Sequence, residues 1–278
     1  MRTLRQIKDL INNIAKKKSI NPQILLRNYM MERLLERIAL SNYKENFILK
    51  GGMLISSLIG VESRSTVDMD TTMKHKTVTI DSIKSTFENI ITIDTGDGVT
   101  FQIKKVEEIR DEADYPGFRV SIDAILENAK IPIKVDITTG DEITPKEILH
   151  MYQLLLEDRE IEILSYNIET ILAEKLETII TRSTANTRMR DFYDVHILYQ
   201  LQSESIDLIV LKEALIGTGK KRGTFHVIKN GYNIIEGLFS NENMALTWKK
   251  YQKKYSYASD ISWEQIGASI RKLWKSID

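Results

Sequence analysis

The sequence predicts an α+β protein, in which a small mixed or antiparallel sheet is flanked by N-terminal helices and followed by a helical domain. Three observations predict this class. Apolar residues recur at helical spacing over residues 3–40, they alternate with polar residues in short segments between 99 and 166, and helical spacing then returns. We therefore expect N-terminal helices over residues 1–45, a sheet-containing core over 46–166 and a helical domain over 167–278.

The composition excludes several classes of protein. The 278 residues include no cysteine, which excludes a disulfide framework and thiolate catalysis. Lys plus Arg and Asp plus Glu both number 39, so any nucleic-acid binding must use local patches of charge. No apolar run approaches the length of a membrane span, and the charged N-terminus lacks the apolar segment of a signal peptide. We therefore expect a cytoplasmic protein without a membrane partner.

Each predicted element follows from its own residue pattern. Asn21 is a good helix cap, and Pro22 suits the first helical position after it. The predicted helices cover residues 3–18, 22–40, 80–93, 168–181 and 188–201, with further helices to the C-terminus. The predicted strands cover residues 99–106, 118–125, 131–137, 151–156 and 160–166. Because the linker between the second and third strands is short, we expect those two strands to form an antiparallel hairpin.

The stretch Phe47–Asp70 carries the first candidate site. Asp68 and Asp70 would share one face of a strand over residues 66–70, and two adjacent carboxylates suit a hard divalent cation such as Mg2+. The pair Gly51-Gly52 would let phosphates approach backbone N–H groups at the start of the next helix. Together these features predict phosphoryl-type chemistry on a nucleotide. The alternative is an ordinary turn followed by an exposed strand end.

Asp136 is a candidate third carboxylate. It lies on the strand over residues 131–137, on the face opposite the apolar residues, together with Lys134. A neighbouring strand of the same sheet could thus bring it to the carboxylate pair. The alternative is an edge strand whose Lys134 and Asp136 face is only solvated.

Two opposite charges fall within apolar helix stripes. Lys175 lies in the middle of the stripe of its helix, and Asp191 lies between Val195 and Leu198 on the inward face of the next helix. A charge in such a place needs a partner. We interpret the two as parts of one site, and the alternative is an ion pair in the core.

An aromatic and basic pattern near the C-terminus has two interpretations. Trp248, Tyr251 and Tyr255 share one helical face, with four lysines around them. Such a pattern is found in proteins that bind single-stranded nucleic acid by charge and stacking. The interpretation we favour is an amphipathic helix with buried rings and solvated lysines.

Five short motifs occur in one order along the chain. They are Lys50-Gly51-Gly52, Arg64-Ser65-Thr66 before Asp68-x-Asp70, Lys134-x-Asp136-Ile137, Ala173-Glu174-Lys175-Leu176 and Arg190-Asp191-x-Tyr193-Asp194. This series resembles the AbiEii/AbiGii toxin family of nucleotidyltransferase-like proteins, the toxic half of bacterial type IV abortive-infection toxin–antitoxin pairs. The resemblance covers roughly residues 46–200.

The resemblance implies a DNA polymerase β-like nucleotidyltransferase core that uses Mg2+ or Mn2+ and takes a nucleoside triphosphate as substrate. It implies catalytic roles for Lys175 and Asp191. The implied metal ligands, which are also catalytic, are Asp68, Asp70 and Asp136. The implied nucleotide-binding residues are Lys50, Gly51, Gly52, Arg64, Ser65 and Thr66. One departure is that the wider superfamily prefers Gly-Ser where this chain has Gly51-Gly52, so a hydroxyl that could hold phosphate is missing.

The resemblance also implies a reaction and partners. Such proteins are similar to enzymes that transfer a nucleotide to an acceptor hydroxyl, and some members modify the 3' end of tRNA. The implied protein partner is a winged-helix antitoxin encoded nearby, and the implied role is growth arrest in phage defence. The alternatives are transfer to a small molecule of the antibiotic type, or a nucleotide-binding module without catalysis.

Overall fold

The computed structural model describes residues 2–75, 78–109 and 117–277 of the chain. These residues divide into two compact units. The first unit contains the chain up to Gly140 together with Ile148–Ser165, so the N-terminal helices and the sheet belong to one body. The second unit contains Asp141–Glu147 and the chain from Tyr166 onward.

The first unit is built on a mixed sheet. Its helices are α1 (Leu4–Lys18), α2 (Pro22–Leu40), α3 (Gly51–Ile59) and α4 (Ile80–Ile91). Its strands are β1 (Phe47–Lys50), β2 (Met69–Met73), β3 (Thr100–Ile109), β4 (Gly117–Leu126), β5 (Ala129–Thr139), β6 (Ile148–Gln153) and β7 (Glu160–Ser165). In the described residues these seven strands lie in the order β3-β4-β5-β2-β1-β7-β6. The sheet is therefore larger than the small sheet that the sequence predicts.

Sheet pairing combines local hairpins with two parallel contacts. Strands β4 and β5 form the predicted antiparallel hairpin, and β6 and β7 form a second one. The parallel contacts join β2 to β5 and β1 to β7. In β5 the residues Ile133, Val135 and Ile137 are buried while Lys134 is exposed, so the predicted alternation of faces is confirmed.

Two predicted strand positions are wrong. Strand β2 begins only at Met69, and Asp68 lies in the bend before it, so Asp68 is not part of the strand that holds Asp70. Strand β6 begins at Ile148, three residues before its predicted start. It is an edge strand on which the apolar Ile148 and Met151 are exposed, and the alternation of apolar residues therefore does not mark its ends.

The second unit is helical. Its helices are α5 (Ile168–Arg182), α6 (Met189–Gln202), α7 (Leu208–Lys221), α8 (Phe225–Ile228), α9 (Gly231–Phe239), α10 (Glu242–Lys254) and α11 (Trp263–Lys275). The Asn167 side chain caps α5 by accepting a hydrogen bond from the Thr170 N–H at 2.8 Å, as the sequence predicts. Within the described residues, none of the helices combines the length and the apolar character that a bilayer crossing demands.

Helix α2 carries a buried carboxyl group. Glu32 is 2% exposed and accepts hydrogen bonds from the Tyr152 hydroxyl at 3.3 Å and from the Leu155 N–H at 3.1 Å. Burial raises the pKa of Glu32 to about 8, although the Leu155 N–H and the Arg33 charge act in the opposite direction. Near neutral pH, the folded chain therefore holds a proton that the unfolded chain releases.

We expect this proton to make stability fall as pH rises from about 4.5 to about 8, because the folded pKa lies above the unfolded one. One proton accounts for a slope of at most about 1.4 kcal/mol per pH unit. Glu32→Gln removes the titrating group, so the variant should match the parent below about pH 4 and exceed its stability above about pH 8. Urea unfolding at several pH values measures this. Glu88→Gln, at an exposed helix position, is the control and should keep the parental slope. An unchanged slope in Glu32→Gln would contradict the assignment.

Candidate functional site

Strand register places four charged side chains in one row across the sheet of the first unit. Lys50 on β1 pairs with Asp70 on β2, Asp70 pairs with Asp136 on β5, and Asp136 pairs with Arg119 on β4. Residues directly opposite each other on neighbouring strands point to the same face. The row therefore reads positive, negative, negative, positive, and it brings the predicted residues Asp70 and Asp136 side by side.

The Gly51-Gly52 turn joins this row to helix α3. Gly51 has φ +65°, and a Cβ at this position would lie 2.0 Å from Asp70 Oδ2. The Gly52 N–H donates a hydrogen bond to the same Asp70 oxygen at 3.3 Å. Glycine is needed at Gly51 both for the left-handed backbone and for the close approach of the carboxylate. The first turn of α3 thus presents a backbone donor to a carboxylate of the same chain, and the approach of phosphate to this turn stays a prediction.

The Arg64-Ser65-Thr66 segment lies against the same turn. A Cβ at Gly52 would lie 2.6 Å from Thr66 Oγ1 and 3.1 Å from an Arg64 Nη atom. Arg64 is 3% exposed, so it is not an exposed loop arginine. Its guanidinium donates to the Ser65 carbonyl at 2.6 Å, and the Thr66 hydroxyl donates to the Asp68 carbonyl at 3.1 Å. These predicted nucleotide-binding residues are therefore assembled around Gly52.

Asp136 is held by an arginine that the sequence analysis did not single out. Arg119 Nε donates to one oxygen of Asp136 at 2.7 Å, and Arg119 Nη2 donates to the other at 2.6 Å. These hydrogen bonds, opposed by burial and aided by the charges of Asp136 and Asp68, raise the pKa of Arg119. In this arrangement each oxygen of Asp136 accepts one hydrogen bond from the guanidinium and keeps a further lone pair.

The acidic residues fit a divalent cation in part. Burial raises the pKa of Asp70, and the neighbouring charges of Asp136 and Asp68 raise it further, while Lys50 and the Gly52 N–H lower it. Carboxylates that repel each other in this way are suitable donors for Mg2+ or Mn2+. Asp68 and Asp70 thus fit such an ion, whereas Asp136 is paired with Arg119. As placed, no three acidic or histidine side chains of the described residues form a metal-binding group.

The second unit contains a separate buried cluster around Lys175. The Lys175 ammonium lies 2.9 Å from Asp191 Oδ1 and 2.7 Å from Asp194 Oδ2. The side chains of Asp191 and Asp194 are 4% and 0% exposed, and Arg188 Nε lies 2.8 Å from the second oxygen of Asp191. The structure therefore pairs the charges of Lys175 and Asp191, which both interpretations of the sequence expect, and adds Asp194 and Arg188 to them.

Sequence signals for the missed residues exist. Asp194 follows Asp191 by three positions, which places both on the same face of a helix. The β4–β5 hairpin turns through only two residues, Glu127 and Asn128, and this short loop fixes Arg119 opposite Asp136. Helical periodicity could therefore have identified Asp194, and the register of the hairpin could have identified Arg119.

We predict that Gly51→Ala destabilises the fold more than Gly96→Ala. Both glycines have left-handed backbones, at φ +65° and +68°, but a Cβ at Gly96 meets no atom within 4 Å. The left-handed backbone costs an alanine roughly 1–2 kcal/mol at either position. At Gly51 the overlap with Asp70 adds roughly 1–3 kcal/mol. Urea unfolding measures the difference, and equal losses in the two variants would contradict the close contact.

We predict strong coupling between Arg119 and Asp136. Arg119→Gln leaves Asp136 beside Asp70 without its cation, whereas the double variant with Asp136→Asn removes both charges. The double-mutant cycle should therefore give a coupling energy of about 1–3 kcal/mol in urea unfolding. A cycle on Lys104 and Asp123, which are 3.8 Å apart on the same sheet, is the control and should give about 0–1 kcal/mol. Additive losses at Arg119 and Asp136 would refute the prediction.

Comparison with known proteins bears on the whole chain. In fold it is similar to a provisionally assigned nucleotidyltransferase of Helicobacter pylori, with a TM-score of 0.56 and 16% identity over 93% of this chain and 97% of that one. It is also similar to JHP933 from Helicobacter pylori, with a TM-score of 0.55 and 16% identity over 92% of each chain. At this identity the similarity concerns the fold alone. No curated protein matches the chain by sequence.

A family model gives the more specific result. The model of the nucleotidyl transferase AbiEii toxin, from type IV toxin–antitoxin systems, matches residues 33–269. The match includes the charged row, the glycine turn and the Lys175 cluster. The chain therefore belongs to the nucleotidyl transferase AbiEii toxin family.

Proposed function

We propose that this chain is a metal-dependent toxin that transfers a nucleotide from a nucleoside triphosphate to the 3'-terminal hydroxyl of tRNA. The observation that carries the proposal is the row of Lys50, Asp70 and Asp136 beside the Gly51-Gly52 turn, in a member of the AbiEii family. Anion-binding backbone next to paired carboxylates is the combination that nucleotide transfer requires.

The proposed reaction is an in-line displacement. The acceptor oxygen forms a bond to the α-phosphorus, the bond from that phosphorus to the oxygen bridging to the β-phosphate breaks, and pyrophosphate leaves. The hydroxyl proton passes to a carboxylate of the charged row. The Gly52 N–H and the Lys50 ammonium, which act on Asp70 in this structure, would bind phosphate oxygens.

Asp68 and Asp70 are the residues that would hold Mg2+ or Mn2+. When bound, such an ion neutralises the triphosphate and makes the α-phosphorus more electrophilic. Asp136 would join them through the lone pairs that its pairing with Arg119 leaves, and Arg119 would be a cation beside the phosphates. We further propose that activity requires Lys175 and Asp191, with Asp194 as the positioning residue that fixes the Lys175 ammonium.

The proposal extends to the biological context. We propose that the first unit is a DNA polymerase β-like nucleotidyltransferase core and that the protein acts in the cytoplasm during abortive infection. Its product would arrest growth, and a winged-helix antitoxin encoded nearby would counteract it. These statements rest on family membership and on the resemblance of the motifs.

Asp70→Asn is the sharpest test of the proposal. Because burial and two neighbouring carboxylates raise the pKa of Asp70, removing its charge should leave the free energy of unfolding unchanged or higher. Transfer of label from each radiolabelled nucleoside triphosphate to total RNA should nevertheless fall by roughly 100-fold or more. Asp123→Asn, in which the altered carboxylate lies on strand β4 of the same sheet, should keep full activity and is the control.

Three results would change the assignment. Label that enters only a small-molecule fraction, in a parallel reaction with small acceptors, would favour the small-molecule enzyme. Growth inhibition that survives Asp70→Asn would favour a nucleotide-binding module without catalysis. Unimpeded growth of cells that express the parent chain alone would exclude a toxin.

A further inference from the structure

The region after Trp248 differs from an ordinary amphipathic helix. Trp248 is 1% exposed, and its indole N–H donates to the Ile261 carbonyl at 2.8 Å, so this ring belongs to the core as predicted. Tyr251, Tyr255 and Tyr257 are only partly buried. The favoured interpretation of the sequence therefore holds for the tryptophan and the lysines, but not for the tyrosines.

The three tyrosines and the buried Tyr193 of α6 form one cluster, called here the tyrosine cluster. The rings of Tyr255 and Tyr257 stack with centroids 5.4 Å apart and an interplanar angle of 30°. The ring centroids of Tyr251 and Tyr255 are 4.6 Å apart, and those of Tyr193 and Tyr257 are 4.8 Å apart. The hydroxyls of Tyr251 and Tyr257 are 2.8 Å apart and share a hydrogen bond. The partly exposed rings are thus held in fixed positions by a buried one.

Two cations lie against the Tyr255 ring of the cluster. The Arg190 guanidinium lies 5.5 Å from the Tyr255 ring centroid and donates to its hydroxyl at 3.2 Å, and the Lys254 ammonium lies 5.4 Å from the same ring. Although burial acts to raise it, these two cations lower the pKa of Tyr255. The positive charge continues along α10, whose lysines 249, 250, 253 and 254 are exposed.

The tyrosine cluster adjoins the Lys175 cluster within the second unit. Arg190 contacts Tyr255, and the next residue, Asp191, binds Lys175 at 2.9 Å. The carboxylates of Asp191 and Asp194 are paired with Lys175, and Asp191 is also paired with Arg188. The exposed rings therefore lie next to residues that the proposed reaction requires.

We infer that the tyrosine cluster, together with Arg190 and the α10 lysines, binds a single-stranded RNA end. Its bases would stack on Tyr255 and Tyr257, and its phosphates would pair with Arg190 and the lysines. The two lysine pairs are four residues apart, about 6 Å along the helix, so they could contact neighbouring phosphates of one strand. The choice of RNA rests on the proposed function, in which RNA is the acceptor.

Fluorescence anisotropy with a labelled single-stranded RNA of about 12 nucleotides tests the inference on the full chain. Tyr255→Leu removes a stacking ring and should weaken binding roughly 5- to 150-fold, whereas Tyr255→Phe keeps the ring and should bind nearly as well as the parent. Tyr232→Leu, at a 46% exposed tyrosine of the same unit, is the control and should not change the affinity.

A second variant keeps all the tyrosine rings. Lys253→Gln with Lys254→Gln changes only exposed side chains and should reduce the slope of log affinity against log salt by up to about 1.4. Parental affinity in Tyr255→Leu, or a parental salt slope in the lysine variant, would overturn the inference. So would a loss of nucleoside triphosphate binding in Tyr255→Leu with RNA binding intact.

This test is independent of the proposed function, because it measures RNA binding and does not require nucleotide transfer. RNA binding through Tyr255 in a chain that transfers no label would support the inference and refute the proposed function. Transfer to RNA by a chain in which Tyr255→Leu binds RNA normally would refute the inference alone.

Discussion

The register of four sheet strands is the constraint on which the candidate site of the first unit depends. It places Lys50, Asp70, Asp136 and Arg119 in one row, with the two carboxylates in the middle and a cation at each end. A slip of one residue in any of these strands would turn its charged residue to the opposite face. The Gly51 turn depends on the same register, because its backbone lies within contact distance of Asp70.

Local patterns predict the parts of this row but not its assembly. Alternation along β5 correctly assigns Asp136 to the polar face, and the short loop after Leu126 would have placed Arg119 opposite it. The contact between Asp70 and Asp136 is a parallel pairing of strands 66 residues apart in sequence. No periodicity or turn signal encodes which distant strands pair, and the size and order of the sheet are therefore not predictable from such patterns.

In the helical unit one long-range contact could be predicted from the sequence, because a charge within an apolar stripe needs a partner. Lys175 and Asp191 violate the pattern of their helices, and the structure pairs them at 2.9 Å. The burial of the tyrosines after Trp248 could not be predicted in this way. Periodicity places Tyr251 and Tyr255 on the face of the buried tryptophan, but the chain leaves α10 at Lys254, and the rings beyond the tryptophan are only partly covered.

The charge of Asp70 is held at a cost to stability, and the buried ionic group of the second unit need not add to stability. Burial and like charges disfavour the ionised form of Asp70, so the fold would lose nothing by a neutral residue there. Lys175, Asp191 and Asp194 form a buried ionic group, and replacing such groups by apolar side chains of similar volume is often neutral or stabilising. The stability of the first unit therefore does not explain the charge of Asp70. Charges that a fold retains against its own stability are typical of residues that bind or transform a charged ligand.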